Sequence, residues 1–94
     1  MSSTTTTTPY VSSYRRIIAA GHDLRVTHQR HAYRLKLMKG EEVVAFVDCS
    51  RTGNLSALGA LEKARLNTFG PTSGFFKSLQ QLADIAEANA AAGV

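Results

Sequence analysis

The alternation of side-chain character at residues 31–38 restricts the fold more than any other feature of the chain. Apolar positions alternate with basic ones there: Tyr33, Leu35 and Leu37 with Arg34 and Lys36. A period of two is the pattern of a half-buried β-strand, because successive side chains of a strand point to opposite faces of its sheet. The segment therefore predicts a strand with one apolar face and one basic face.

Two neighbouring segments extend this strand into a sheet. Residues 23–28 also alternate and predict a first strand, and Lys39-Gly40 predicts a tight turn into a third strand at residues 42–48. The third strand is apolar on both faces, so its inward side is ambiguous from the pattern alone. If Val44 and Phe46 point into the core, an apolar strip is left on the exposed face: Val43, Ala45 and Val47.

Helical periodicity predicts three helices around this sheet. They lie at residues 12–20, ending at Gly21, at residues 55–66, and from a Thr72 or Ser73 cap to about residue 90. The positions expected to pack in the second helix are Ala57, Leu58, Ala60, Leu61 and Ala64. Those expected in the third are Phe75, Phe76, Leu79, Leu82, Ile85 and Ala86. The fold class is thus α+β: an N-terminal helix, a three-stranded antiparallel sheet with one open basic face, and two C-terminal helices on the other face.

The length of 94 residues suits one small domain. We expect a disordered Ser/Thr-rich tail at residues 1–9 and a single domain at residues 10–94. A lone cysteine, Cys49, favours a reducing compartment. The N-terminus has no secretory-signal pattern, and no apolar run is long enough to cross a bilayer. These features predict a cytoplasmic protein that does not enter a membrane.

The positive charge is concentrated in one part of the chain. The net charge is +4, yet residues 15–39 hold seven basic residues and a single acid, Asp23. A concentrated field of one sign attracts an oppositely charged polymer, which makes nucleic acid the leading partner. The alternative is a solvated surface that is merely basic. The candidate nucleic-acid-binding residues are Arg15, Arg16, Arg25, Arg30, His31, Arg34, Lys36 and Lys39.

One stretch of the chain has a recognisable pattern. A strand with a histidine and an aromatic is followed by a strand ending Phe-x-Asp, a glycine loop and an Ala-Leu-x-x-Ala-type helix with a later arginine. The residues concerned are His31, Tyr33, Leu35, Phe46, Asp48, Gly53, Ala57, Leu58, Ala60 and Arg65. About half of the chain thus resembles the Apetala/ethylene-response-factor (integrase-type) DNA-binding domains of phages and bacteria. The resemblance implies three strands in the major groove of duplex DNA, with Arg25, Arg34 and Lys36 at contacting positions. The chain departs from the family in lacking tryptophan; Tyr33 stands at that place.

The sequence gives little support for metal binding or catalysis. The three histidines do not have the spacing of a metal site, and no second ligand cluster accompanies them. Cys49 is expected to be a small buried hydrophobe and Asp48 to cap the glycine loop. No catalytic motif or phosphate-binding glycine loop is present. We therefore expect neither an enzyme nor a cofactor or metal.

A protein-interaction module is the second functional hypothesis. Small chains of phage or mobile-element type often bind and inhibit a host protein complex, as anti-CRISPR proteins do, and here the basic sheet and the apolar strip would contact a host protein. Core packing is the default for the apolar stripe of the last helix, and pairing with a second copy in a homodimer is its alternative.

Overall fold

The computed structural model describes residues 13–50, 55–70 and 72–93. Three helices and three strands follow one another in these segments: α1 (Ser13–Ala19), β1 (Asp23–His28), β2 (Ala32–Lys39), β3 (Glu42–Ser50), α2 (Ala57–Leu66) and α3 (Gly74–Ala91). This order confirms the predicted α+β fold class. The predicted N-terminal tail at residues 1–9 lies outside the described residues.

The strands form one antiparallel sheet in the order β1-β2-β3. Directly opposite residues share a face of the sheet. Three rows form its inner face: Leu24–Leu37–Ala45, Val26–Leu35–Val47 and His28–Tyr33–Cys49. Two rows form the face that we call the outer face: Arg25–Lys36–Phe46 and Thr27–Arg34–Asp48.

All three helices pack against the inner face. Most of their buried side chains belong to the same cluster as the inner-face rows; these are Ile17 of α1, Ala60 and Ala64 of α2, and Phe75, Leu79, Leu82, Ala83 and Ala86 of α3. Alanine at the α2 positions lets that helix approach the sheet closely. The prediction that Leu58 packs is wrong, since 75% of its surface is exposed. Because the helices cover the inner face, the described part of the chain leaves the outer face open.

Local sequence sets where these elements begin and end. Gly21 (φ 79°) follows α1 and Gly40 (φ 65°) forms the β2–β3 turn, both in the left-handed region that glycine adopts without strain. The hydroxyls of Ser56 and Ser73 accept hydrogen bonds from backbone N–H groups in the first turns of α2 and α3. Asn67 (φ 56°) ends α2 in the left-handed conformation, directly after the predicted last residue of that helix.

The strand register settles which side of β3 faces inward, a point that the apolar pattern leaves ambiguous. Ala45 and Val47 lie on the inner face, whereas Phe46 lies on the outer face and is 54% exposed. A register shift between Leu37 and Met38 leaves Val44 without a direct partner on β2, so Val44 and Ala45 both pack against the core. The outer face of β3 therefore shows an aromatic ring and a carboxylate instead of a row of small aliphatic side chains.

Candidate nucleic-acid interface

The outer face brings together three of the predicted binding residues. Arg25 of β1 is directly opposite Lys36 of β2, and Arg34 lies two residues away from Lys36 on the same strand. The alternation that buries Leu35 and Leu37 necessarily turns Arg34 and Lys36 to the other side of the sheet. The sequence prediction of one face carrying Arg25, Arg34 and Lys36 is thus matched by the strand register.

Arg25 and Lys36 carry charges that no carboxylate in the described residues neutralises. Neither takes part in an ion pair, although every other arginine on the described helices and strands except Arg15 does. Two cationic side chains that face each other across neighbouring strands repel one another in the free protein. An anion between them removes that repulsion, which makes this pair the most favourable anion-binding position on the outer face.

Arg34 is held in a different way. Its Nε and Nη2 groups donate to the two carboxylate oxygens of Asp48 at 2.8 and 3.1 Å, the bidentate geometry that an arginine uses for a carboxylate or a phosphate. The hydrogen bond from Arg34 lowers the pKa of the Asp48 carboxyl below its ordinary value, and the same bond raises the pKa of Arg34. The guanidinium also lies over the ring of Phe46, with its Cζ atom 4.3 Å from the ring centroid. Asp48 thus binds the guanidinium donors of Arg34 that the sequence predicted would contact a nucleic acid.

The remaining predicted residues near the sheet lie at its two ends. Arg30 and His31 are exposed in the loop between β1 and β2, where backbone N–H of Gln29 donates to the carbonyl of Ala32 at 2.8 Å. Lys39 lies at the opposite end of β2, directly across from Glu42. Of these three residues, Arg30 is the one that adds positive charge to the surface without a facing acid, and His31 lies beside it.

Arg15 and Arg16 lie in the helical layer, on α1, and are not part of the outer face. Arg15 is exposed. Arg16 donates to both carboxylate oxygens of Glu87 at 2.8 and 2.7 Å and also contacts Asp84, both on α3. These hydrogen bonds lower the pKa of Glu87 below its ordinary value. Arg16 consequently ties α1 to α3, and its charge is already compensated within the chain.

Phe46 and Asp48 contact Arg34 on this face, and neither was among the predicted binding residues. The sequence pattern leaves the side of Phe46 ambiguous and predicts that Asp48 caps the glycine loop. The placement of both residues depends on which side of β3 points inward, and the register with β2 settles that point.

The histidines and the cysteine form no reactive cluster. His22 is buried, with Nδ1 2.8 Å from the carbonyl oxygen of Ala20, while His28 packs beside Tyr33 with 5.6 Å between ring centroids. Cys49 is buried in the core as predicted, and burial raises the pKa of its thiol. Within residues 13–50, 55–70 and 72–93, no group of three His, Cys, Asp or Glu side chains is placed to hold a metal ion.

The helices of the described segments include none that is both long and apolar enough to cross a membrane. No protein-family model, curated protein or solved structure matches the chain.

Proposed function

We propose that the chain is a non-enzymatic, cytoplasmic nucleic-acid-binding protein whose outer sheet face contacts the phosphate backbone. The observation that carries this proposal is the pair Arg25 and Lys36, which face each other on an open surface and have no carboxylate partner in the described part of the chain. Phosphate contacts of this kind release condensed counterions, so they supply affinity without reading sequence. Duplex DNA is the form that the resemblance in the sequence favours.

The mechanism is electrostatic positioning. Lys36 is in the central strand and Arg25 in an edge strand, so their head groups can take two phosphates of one backbone or of facing strands. Arg30 continues the positive surface beyond one end of the sheet, with His31 beside it as a polar side chain. No proton transfer, nucleophile or cofactor is required for this function, and the free buried Cys49 is consistent with a reducing compartment.

A salt titration tests this function. Wild-type chain and the double variant Arg25→Gln/Lys36→Gln are titrated against labelled duplex DNA by fluorescence anisotropy at several salt concentrations. Removing two phosphate contacts should flatten the slope of log K against log salt by about 1.8, from about 0.9 per contact. The matched control is Lys63→Gln/Lys77→Gln, which removes the same charge from α2 and α3 and should change the slope far less. Absence of binding to any nucleic acid at low salt, or equal effects of the two pairs, rejects the proposal.

A protein partner is the second candidate function, and the edge of β3 favours it. Phe46 and Val43 are 54% and 42% exposed on a strand that has only one neighbour in the described sheet. Aromatic and arginine side chains are enriched at protein interfaces, and an unpaired strand edge can accept a strand from a partner. Inhibition of a host complex by a phage-type module is the form this function would take. A pulldown from nuclease-treated lysate tests this second function. If the chain captures one stoichiometric protein, and if Phe46→Asp loses that protein while Arg25→Gln/Lys36→Gln keeps it, protein recognition is favoured over nucleic-acid binding.

A further inference from the structure

Phe46 is more exposed than any other phenylalanine or tyrosine ring among the described residues. Tyr33, Phe75 and Phe76 are buried, whereas Phe46 exposes 54% of its surface. The Arg34 guanidinium already covers one face of its ring, with Cζ 4.3 Å from the centroid. The exposure that remains therefore comes largely from the opposite face and the edges of the ring. An open aromatic face on a basic surface is the arrangement on which a planar ligand stacks.

The orientation of the ring is fixed by a chain of contacts. Asp48 holds Arg34 through two hydrogen bonds, and Arg34 in turn lies over one side of the Phe46 ring. A side chain supported in this way loses little conformational freedom when a ligand stacks on it. The stacking surface is thus organised before any ligand arrives.

Two basic side chains lie in the same cross-strand row as the Phe46 ring, one on each of the other two strands. Lys36 is directly opposite Phe46, and Arg25 is directly opposite Lys36, so one row crosses all three strands. Adjacent strands are about 4.8 Å apart, so the row is about 10 Å long from β3 to β1. An aromatic ring lies at one end, and along the rest lie two cations that form no ion pair within the described residues. This row matches a base followed by its backbone phosphates.

We propose that the outer face binds single-stranded nucleic acid, with one unpaired base stacked on the open side of Phe46 and the adjoining phosphates on Lys36 and Arg25. This inference rests on the proposed function and names the form of its ligand. In a duplex the base faces are covered by neighbouring base pairs, and only base edges are accessible in the grooves. Phe46 can stack only on a base outside a double helix, so a single strand binds more tightly than a fully paired duplex. The site tolerates any sequence, because every base has a π face.

A tryptophan reporter tests the stacking directly. The chain contains no tryptophan, so Phe46→Trp places a single fluorophore at the site. Adding oligothymidylate should quench its emission in a saturable way, because a base stacked on the indole is in direct contact with it. The matched control Leu58→Trp puts the fluorophore on α2, at a position that is 75% exposed and in the helical layer. The control should bind the same strand without comparable quenching.

Affinity measurements give the second readout. Phe46→Leu keeps an apolar side chain but removes the ring, and it should weaken oligothymidylate binding about 5- to 150-fold, the range of one base–aromatic stack. Duplex binding should change little. Because Phe46 is exposed, circular dichroism should show the variants folded.

The outcomes separate this inference from the function on which it rests. Three results would overturn the stacking site while leaving nucleic-acid binding in place. The wild-type chain could bind duplex more tightly than oligothymidylate, or Phe46→Trp emission could stay unquenched in a saturated complex. Phe46→Leu could also lose the same affinity for both ligands. Failure of the wild-type chain to bind either ligand at low salt overturns both proposals. If Phe46→Leu abolishes binding of a protein partner but leaves nucleic-acid binding unchanged, this surface serves protein recognition.

Discussion

Replacing Asp48 by asparagine tests whether the carboxylate limits the charge of the outer face. In the structure Asp48 fills the bidentate fork of Arg34 as a phosphate oxygen pair would. Asparagine keeps the size of the side chain and removes its charge, so Arg34 becomes free to contact a phosphate. We therefore expect Asp48→Asn to bind nucleic acid more tightly than the wild-type chain does.

The size of the gain follows from counterion release. One additional phosphate contact steepens the slope of log K against log salt by about 0.7 for a single strand and about 0.9 for a duplex. Taken relative to 1 M salt, a steepening of 0.7 corresponds to about 5-fold tighter binding at 0.1 M salt and about 25-fold at 0.01 M. Fluorescence anisotropy with labelled oligothymidylate over that salt range measures both the slope and the affinity.

The control for this prediction is Asp84→Asn. It raises the net charge by the same amount and also removes a carboxylate that contacts an arginine, but that arginine is Arg16 in the helical layer. If Asp84→Asn tightens binding as much as Asp48→Asn does, total charge explains the effect and the local reasoning is refuted. It is refuted equally if Asp48→Asn leaves both slope and affinity at their wild-type values.

Three further predictions concern stability and reactivity. Arg16→Gln should lower Tm by about 2–8 °C at neutral pH, measured by calorimetry. Since Arg16 lowers the folded-state pKa of Glu87, this contribution is present above the ordinary glutamate pKa and is lost as pH falls through the lowered one, so the two Tm values should converge in acid. Tyr33→Phe should leave stability unchanged or raise it by up to about 1 kcal/mol in urea unfolding, because the buried Tyr33 hydroxyl has no hydrogen-bond partner among the described residues; a clear loss would contradict this. Cys49 should react with a disulfide reagent far more slowly in the folded chain than in denaturant, since burial both shields the thiol and raises its pKa.

The fold was predictable because its signals are local. Alternation along β1 and β2, glycine after α1 and in the β2–β3 turn, and serine ahead of α3 each act within a few residues, and the observed elements begin and end close to the predicted positions. The α2 surface was less predictable. Leu58 and Ala60 are both apolar, and the choice of which one faces the sheet depends on how closely the helix approaches it. Tertiary packing decides that approach, and a periodic pattern alone does not contain it.

Charge patterning predicted the candidate site only in part. It located Arg25, Arg34 and Lys36 on one face but treated every arginine as equally available. The ion pairs of Arg16 with α3 and of Arg34 with Asp48 join residues far apart in the chain or on different strands. Such pairings depend on helix packing and strand register, so a count of charges along the sequence overstates the free positive charge.

The orientation of β3 did have a signal in the sequence, directly after the apolar residues 43–47. If Phe46 pointed inward, alternation would carry Asp48 inward as well and turn Cys49 out to solvent. Burying an ionised carboxylate without a cation costs far more than exposing one phenylalanine, whereas cysteine is among the residues most often buried. Asp48 therefore selects the orientation in which Cys49 is in the core, and Phe46 must follow it to the outer face. The residue that neutralises Arg34 is thus also the residue that exposes the ring beside it, and the aromatic and ionic parts of the candidate site come from a single choice of strand orientation.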